Sequence, residues 1–118
     1  MKEKLCLQWN NFKDNVNKAF GILRDDIDFT DVTLACEQES EAQKVILAAS
    51  SPFFNNLLVQ NKHAHPLIYM RGVKSENLRA ILDFLYYGEA NVLQENLDIF
   101  LAIASELKLT GLTDGDER

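Results

Sequence analysis

Apolar and polar positions alternate from the start of the chain. In LCLQWNN, Leu5, Leu7 and Trp9 fall on one side and Cys6, Gln8 and Asn10 on the other. That is the period of a strand with one buried face, and it predicts a strand over 4–9. The segment begins where chains usually fray unless something ties them down, so it needs a partner. The period then changes. Phe12, Val16, Ala19, Phe20 and Leu23 follow i, i+4, i+7, i+8, i+11, one stripe of an amphipathic helix. Asn10 or Asn11 is placed to cap it, and Gly21 inside it costs roughly 1 kcal/mol against Ala.

The pattern returns to a strand in FTDVTLACE, with Val32, Leu34 and Cys36 on one face, and a polar connector follows. KVILAASSPFFNNLL reads as two short helices broken at Ser51-Pro52, because proline lacks the amide donor and disfavours helix in the residue before it. Ser51 is placed to cap the second, with Pro52 at its first position. LIYM is apolar on both faces between Pro66 and Gly72, which suits a central strand. SENLRAILDFLYYG predicts a helix capped by Ser75, striped by Leu78, Ile81, Leu82 and Leu85, and stopped at Gly88. ANVL reads as a short strand. QENLDIFLAIASELKLTG reads as a last helix with Leu97, Phe100, Leu101, Ala104 and Leu107 inside and Gly111 at its end. The order implies an α+β domain, a small sheet sheathed by helices. The expected domain is 1–112, with 113–118 an acidic tail or the start of a linker.

At 118 residues the chain makes one domain with a genuine core, and 47% apolar with 25% charged residues excludes a disordered chain. The start has no secretory pattern, and no apolar run approaches the ~18 residues of a membrane span. The net charge of −6 argues against contact of this domain with nucleic acid or an anionic membrane, since such surfaces are usually basic. Cys6 and Cys36 are too few for a disulfide framework and read as reduced, small apolar residues.

Little in the sequence points to chemistry. His63 and His65 could bind a metal, but structural zinc normally takes four ligands and no cysteine lies near them in sequence. Ser50-Ser51-Pro52 lacks the Gly-x-Ser-x-Gly elbow of a nucleophile, and no Gly-rich phosphate loop exists. The expectation is a protein without enzymatic activity and without a cofactor or metal. Asp31 and Lys44 read as solvated charges at the ends of elements, with pairing in a partly buried pocket as the alternative.

FTDVTLACE, AQKVILAASSPFF, HPLIYMRGV, ILDFLYYGEANV and FLAIASELKLTGL follow one another in the order and spacing of a BTB/POZ domain, over roughly residues 5–112. The leading LCLQWNNF is similar to the N-terminal signature of the insect tramtrack-type group. The resemblance implies a tight homodimer in which the first helix packs on its twofold mate and the N-terminal strand is exchanged into the partner's sheet. It would place Leu5, Leu7 and Trp9 on the exchanged strand, with Phe12, Val16 and Phe20 on the helix facing the other subunit and the core. Ala48 and Ala49 would close the interface, and Asp31 and Lys44 would be the charged pair of its pocket. The alternative is a strand paired with its own protomer's sheet. Three departures from the family pattern stand out. Gln43 occupies the usual histidine of Ala-His-Lys. Leu5 and Gln8 replace a phenylalanine and a basic residue. The connector between Cys36 and Ala42 is short and lacks glycine, which disfavours a two-residue primed turn and predicts a truncated second strand or an irregular turn.

The function so implied is self-association of a nuclear transcription or chromatin regulator, as a homodimer and further into hexamer-like assemblies. Its partners would be itself, related BTB domains, and corepressor or chromatin proteins. The alternative is a substrate adaptor for a cullin-type ubiquitin ligase. In that case the helix pair around SPFFNNLLVQNK would face the cullin, although it lacks the acidic residue expected there.

Overall fold

The structure, a computed structural model, describes residues 2–109. After an extended N-terminal segment come α1 (Phe12–Leu23), β1 (Val32–Ala35), β2 (Glu39–Ala42), α2 (Lys44–Ser50) and α3 (Pro52–Gln60). These are followed by β3 (Leu67–Tyr69), α4 (Ser75–Tyr87), a 3-10 turn over Gln94–Asn96, and α5 (Leu97–Leu107). The α+β architecture expected from the alternation of periods is present. Gly111 and the tail 113–118 lie outside the described residues.

Strand β1 is the centre of a three-stranded sheet ordered β2-β1-β3. It pairs antiparallel with β2, from Val32 opposite Ala42 to Ala35 opposite Glu39, and parallel with β3, from Thr33 opposite Leu67 to Ala35 opposite Tyr69. All four residues of β1 are buried. A central strand covered on both faces reads as a continuous run, so the alternation seen in the sequence marks it only in part.

The second strand is not truncated. A three-residue loop over 36–38, closed by the Cys36 amide donating to the Gln38 carbonyl at 3.0 Å, joins β1 to a full β2. One more loop residue removes the need for a primed turn, and no residue of the loop takes a positive φ. Two other strand expectations are corrected. β3 is an edge of the sheet rather than its centre, and Leu67 and Tyr69 stay exposed. Residues 90–93 form no strand in the single chain, although Leu93 keeps an extended backbone.

The break at Ser51-Pro52 falls where proline requires it. The Ser51 hydroxyl accepts from the Phe54 amide at 3.1 Å, capping α3. Helix α4 starts after Lys74 with no side-chain cap, so Ser75 is its first residue and not its cap. Gly88 ends it at φ 79°, where a side chain would be strained. Beneath the sheet Val32, Leu34, Leu47, Phe54, Leu78, Ile81, Phe100, Ala104 and Leu107 form one core. Within α5, Leu97 is exposed where a buried position was expected.

Candidate assembly surface

Residues 2–9 join no strand of their own chain. Leu5, Leu7 and Trp9 are 86%, 90% and 65% exposed. Pairing of this segment with its own protomer's sheet therefore does not occur in the single chain. Trp9 does meet Phe12, ring centroids 5.3 Å apart, which links the segment to α1.

Helix α1 is amphipathic, yet none of its residues is buried. Phe12 and Phe20 are exposed and Val16 half-buried, so the stripe read from the sequence exists but is not covered by the core. Ile22, Ile27 and Phe29, which periodicity did not single out, add exposed apolar surface on and after α1. Ala48 is half-buried and Ala49 exposed on α2.

The structure brings Asp31 and Lys44 together through the backbone. Asp31 Oδ1 accepts from the Lys44 amide at 2.6 Å, while Lys44 Nζ donates to the His63 carbonyl at 2.8 Å. Asp31 thus serves the first turn of α2, whose own N-cap residue, Gln43, makes no side-chain cap bond. Replacing Asp31 by Ala is expected to lower stability by about 1–2 kcal/mol, the usual cost of losing a charge-assisted cap, measured by urea unfolding.

A buried polar network lies behind α1, and sequence reasoning missed its importance. Gln43 Nε2 donates to the Leu23 carbonyl at 2.8 Å, the Gln43 amide donates to the Tyr86 hydroxyl at 3.0 Å, and that hydroxyl donates back to Gln43 Oε1. The departure from Ala-His-Lys was its one visible signal. Arg24, the C-cap residue of α1, bonds Asp83 Oδ1 at 2.5 Å and lies over the rings of Tyr86 and Tyr87, 5.3 and 5.4 Å from their centroids. Burial works against its charge, but the bonds to Asp83 and Tyr87 outweigh it and hold the guanidinium pKa above its ordinary value.

Burial also raises the Tyr86 phenol above the usual tyrosine range, against the opposing pull of the Gln43 amide and Arg24. The folded state then holds this proton more tightly than the unfolded one. The stability it contributes is complete below pH about 10 and is lost as pH rises through the folded value. Unfolding midpoints between pH 9 and 11 are expected to fall more steeply for the native chain than for Tyr86→Phe.

The two histidines take structural positions. His63 Nδ1 accepts from the His65 amide at 2.9 Å, and His65 Nε2 lies 2.9 Å from Thr33 Oγ1 and 3.1 Å from Glu41 Oε1. Among the described residues no group of three His, Cys, Asp or Glu side chains could hold a metal ion.

Open apolar contact with a few paired charges is the chemistry of a protein-interaction domain. The chain belongs to the BTB/POZ domain family, whose pattern it matches over residues 20–118, and it is a non-enzymatic interaction module. It is 47% identical over 113 residues to the Longitudinals lacking protein-like of Drosophila melanogaster, covering 95% of this chain and 89% of that one. It is 42% identical to Protein tramtrack, alpha isoform, of the same fly, covering 95% of this chain and 14% of that one. The chain therefore spans most of the first relative and a small part of the second. The BTB domain of human gigaxonin superposes with a TM-score of 0.80 at 25% identity, covering 95% of this chain and 93% of that one.

Proposed function

We propose that this domain joins copies of its own chain, first as a twofold pair, through residues 5–9 and the open face of α1. The row Leu5, Leu7, Trp9, Phe12 and Phe20, left uncovered by the protomer, carries the reading. Burying each of the first three is worth roughly 1.5–3 kcal/mol, and exchange of an identical element is a low-cost route to a dimer. The unpaired segment 90–93 supplies an edge on which a partner's segment 5–9 can form the strand its alternation calls for. Val16, Ala48 and Ala49 would lie at the twofold, with Asp31 and Lys44 in its charged pocket.

Within a longer protein such pairing would serve a nuclear transcription or chromatin regulator, the role that the resemblance to the tramtrack-type group implies. It makes the second DNA contact intramolecular, which can raise overall affinity by ~10²–10⁴. The charge of −6 leaves DNA contact to other modules. The same edges support hexamer-like assembly, pairing with related BTB domains, and recruitment of corepressor or chromatin proteins.

Light scattering after size exclusion, over a hundredfold concentration range, tests this with the intact chain and one lacking residues 1–9. A dimer or larger species that becomes smaller or aggregates on truncation supports exchange. A monomeric intact chain overturns the proposal. A hexamer reduced to dimers would assign the 5–9 strand to the higher assembly and α1 to the pair.

A second reading rests on an open apolar groove of about 560 Å³ between α3, β3 and α5, with Phe53, Leu57, Met70 and Ile103 in its walls. Helix α3, within the segment SPFFNNLLVQNK that would face a cullin in an adaptor, forms one wall of it. Binding of a cullin N-terminal domain tighter than ~10 μM would favour that role.

A further inference from the structure

The hydrogen bonds from α1 to the body of the fold, Gln43 to the Leu23 carbonyl and Arg24 to Asp83, both lie at its last turn. A close approach of α1 to α4 lies there too. A Cβ at Gly21 would stand 2.9 Å from Cε1 of the Tyr87 ring, so this position keeps the helix against that ring. Toward its start α1 offers exposed Phe12 and half-buried Val16. The helix is thus a lever gripped at one end.

Its twelve residues span about 18 Å at 1.5 Å each. A swing of about 10° at the gripped end would carry Phe12 through about 3 Å, enough to break a contact that needs heavy atoms within ~4–4.5 Å. The grip has the parts of an orienting device. A planar guanidinium is held by a carboxylate and flanked by two rings, and glycine admits one of those rings close to the backbone.

We propose that Arg24, gripped by Asp83 and Tyr87, is a positioning residue for assembly: it fixes the angle at which α1 presents Phe12, Val16 and Phe20 without itself forming the contact. This rests on the self-association reading above. It adds that affinity is set from behind the contact surface, by the fraction of protomers whose helix is aligned. Apparent affinity falls in proportion to that fraction, and a homodimer needs two aligned helices. If losing the clamp leaves about one protomer in ten aligned, a variant pair weakens about a hundredfold. A mixed pair with the native chain then weakens about tenfold.

Dissociation constants of the full chain, from dilution monitored by light scattering, test this for Arg24→Gln, Arg24→Lys and Tyr87→Ala. They are combined with amide hydrogen exchange at a concentration that keeps every variant assembled. The expected result is a weakening of about a hundredfold for Arg24→Gln and Tyr87→Ala, and an intermediate one of about tenfold for Arg24→Lys, which can keep the Asp83 pair but loses the planar stacking on the two rings. Faster exchange should be confined to α1. Unchanged dissociation for both Arg24→Gln and Tyr87→Ala overturns the proposal. So does an equal loss of protection in β1 and α4, which would make the clamp part of general stability. A native chain that is monomeric throughout refutes the self-association reading itself, whatever the variants do.

Discussion

Phe12→Asp combined with Phe20→Asp is expected to leave the domain monomeric at concentrations where the native chain is paired. The two rings are eight residues apart and share one face of α1, and both are exposed in the single chain at 52% and 38%. A twofold pair would bury four of them, each worth roughly 1.5–3 kcal/mol, and the substitution puts four carboxylates in their place. A weakening of at least about a thousandfold follows even if only part of that area is covered. The protomer's own core contains neither ring, so circular dichroism should report intact helices. Analytical ultracentrifugation over a concentration series reads the outcome. A double variant that pairs as tightly as the native chain would remove α1 from the interface and leave residues 5–9 to carry it.

The second large effect concerns the fold. Ser51 is wholly buried, and its hydroxyl both accepts from the Phe54 amide and donates to the Leu107 carbonyl at 2.6 Å. One oxygen therefore caps the start of α3 and satisfies the end of α5. Ser51→Val removes both bonds, and its two γ carbons have the shape of threonine, so Ser51→Thr carries the same added volume and serves as its matched control. The lost cap costs about 1 kcal/mol and the orphaned carbonyl a further ~1–3, so a loss of about 2–4 kcal/mol is expected. Denaturant unfolding should show a lower midpoint with an unchanged slope. Ser51→Thr, which keeps the hydroxyl, should lose much less. Equal losses for the two would mean that packing around residue 51, and not the shared hydroxyl, holds the helix ends.

Local rules made much of this fold legible in the sequence. Proline placed the break between α2 and α3, and Gly88 placed the end of α4. The 3.6-residue stripe placed Leu78, Ile81 and Leu82 in the core. What failed depends on neighbours that a single sequence does not name. LIYM is apolar on both faces, but its place at the edge follows from which strand β1 pairs with, 34 residues away in register. ANVL has the composition of a strand and finds no ladder in its own chain. The loop over 36–38 avoided the glycine by adding one residue.

The candidate surface was legible in the same partial way. Periodicity identifies the stripe Phe12, Val16 and Phe20, but an amphipathic helix reads alike whether its apolar face meets its own core or another chain. Only the burial of each residue separates the two cases. The clamp behind α1 was illegible, since Arg24 meets Asp83 across 59 residues of sequence, and the bond of Gln43 to Tyr86 across 43 showed only as the departure from Ala-His-Lys.

That α1 holds no fully buried residue in its own protomer bears on how such a domain diverges after gene duplication. Substitutions in a core usually destabilise by about 0.5–3 kcal/mol, whereas exposed positions are mostly within ±0.5. The outward positions of α1 belong to the second kind for folding. Two duplicated copies can therefore accumulate different residues there without passing through an unfolded ancestor. Each remains able to fold while the apolar face it offers to solvent or to a partner changes, and the sheet and inner helices stay nearly as they were.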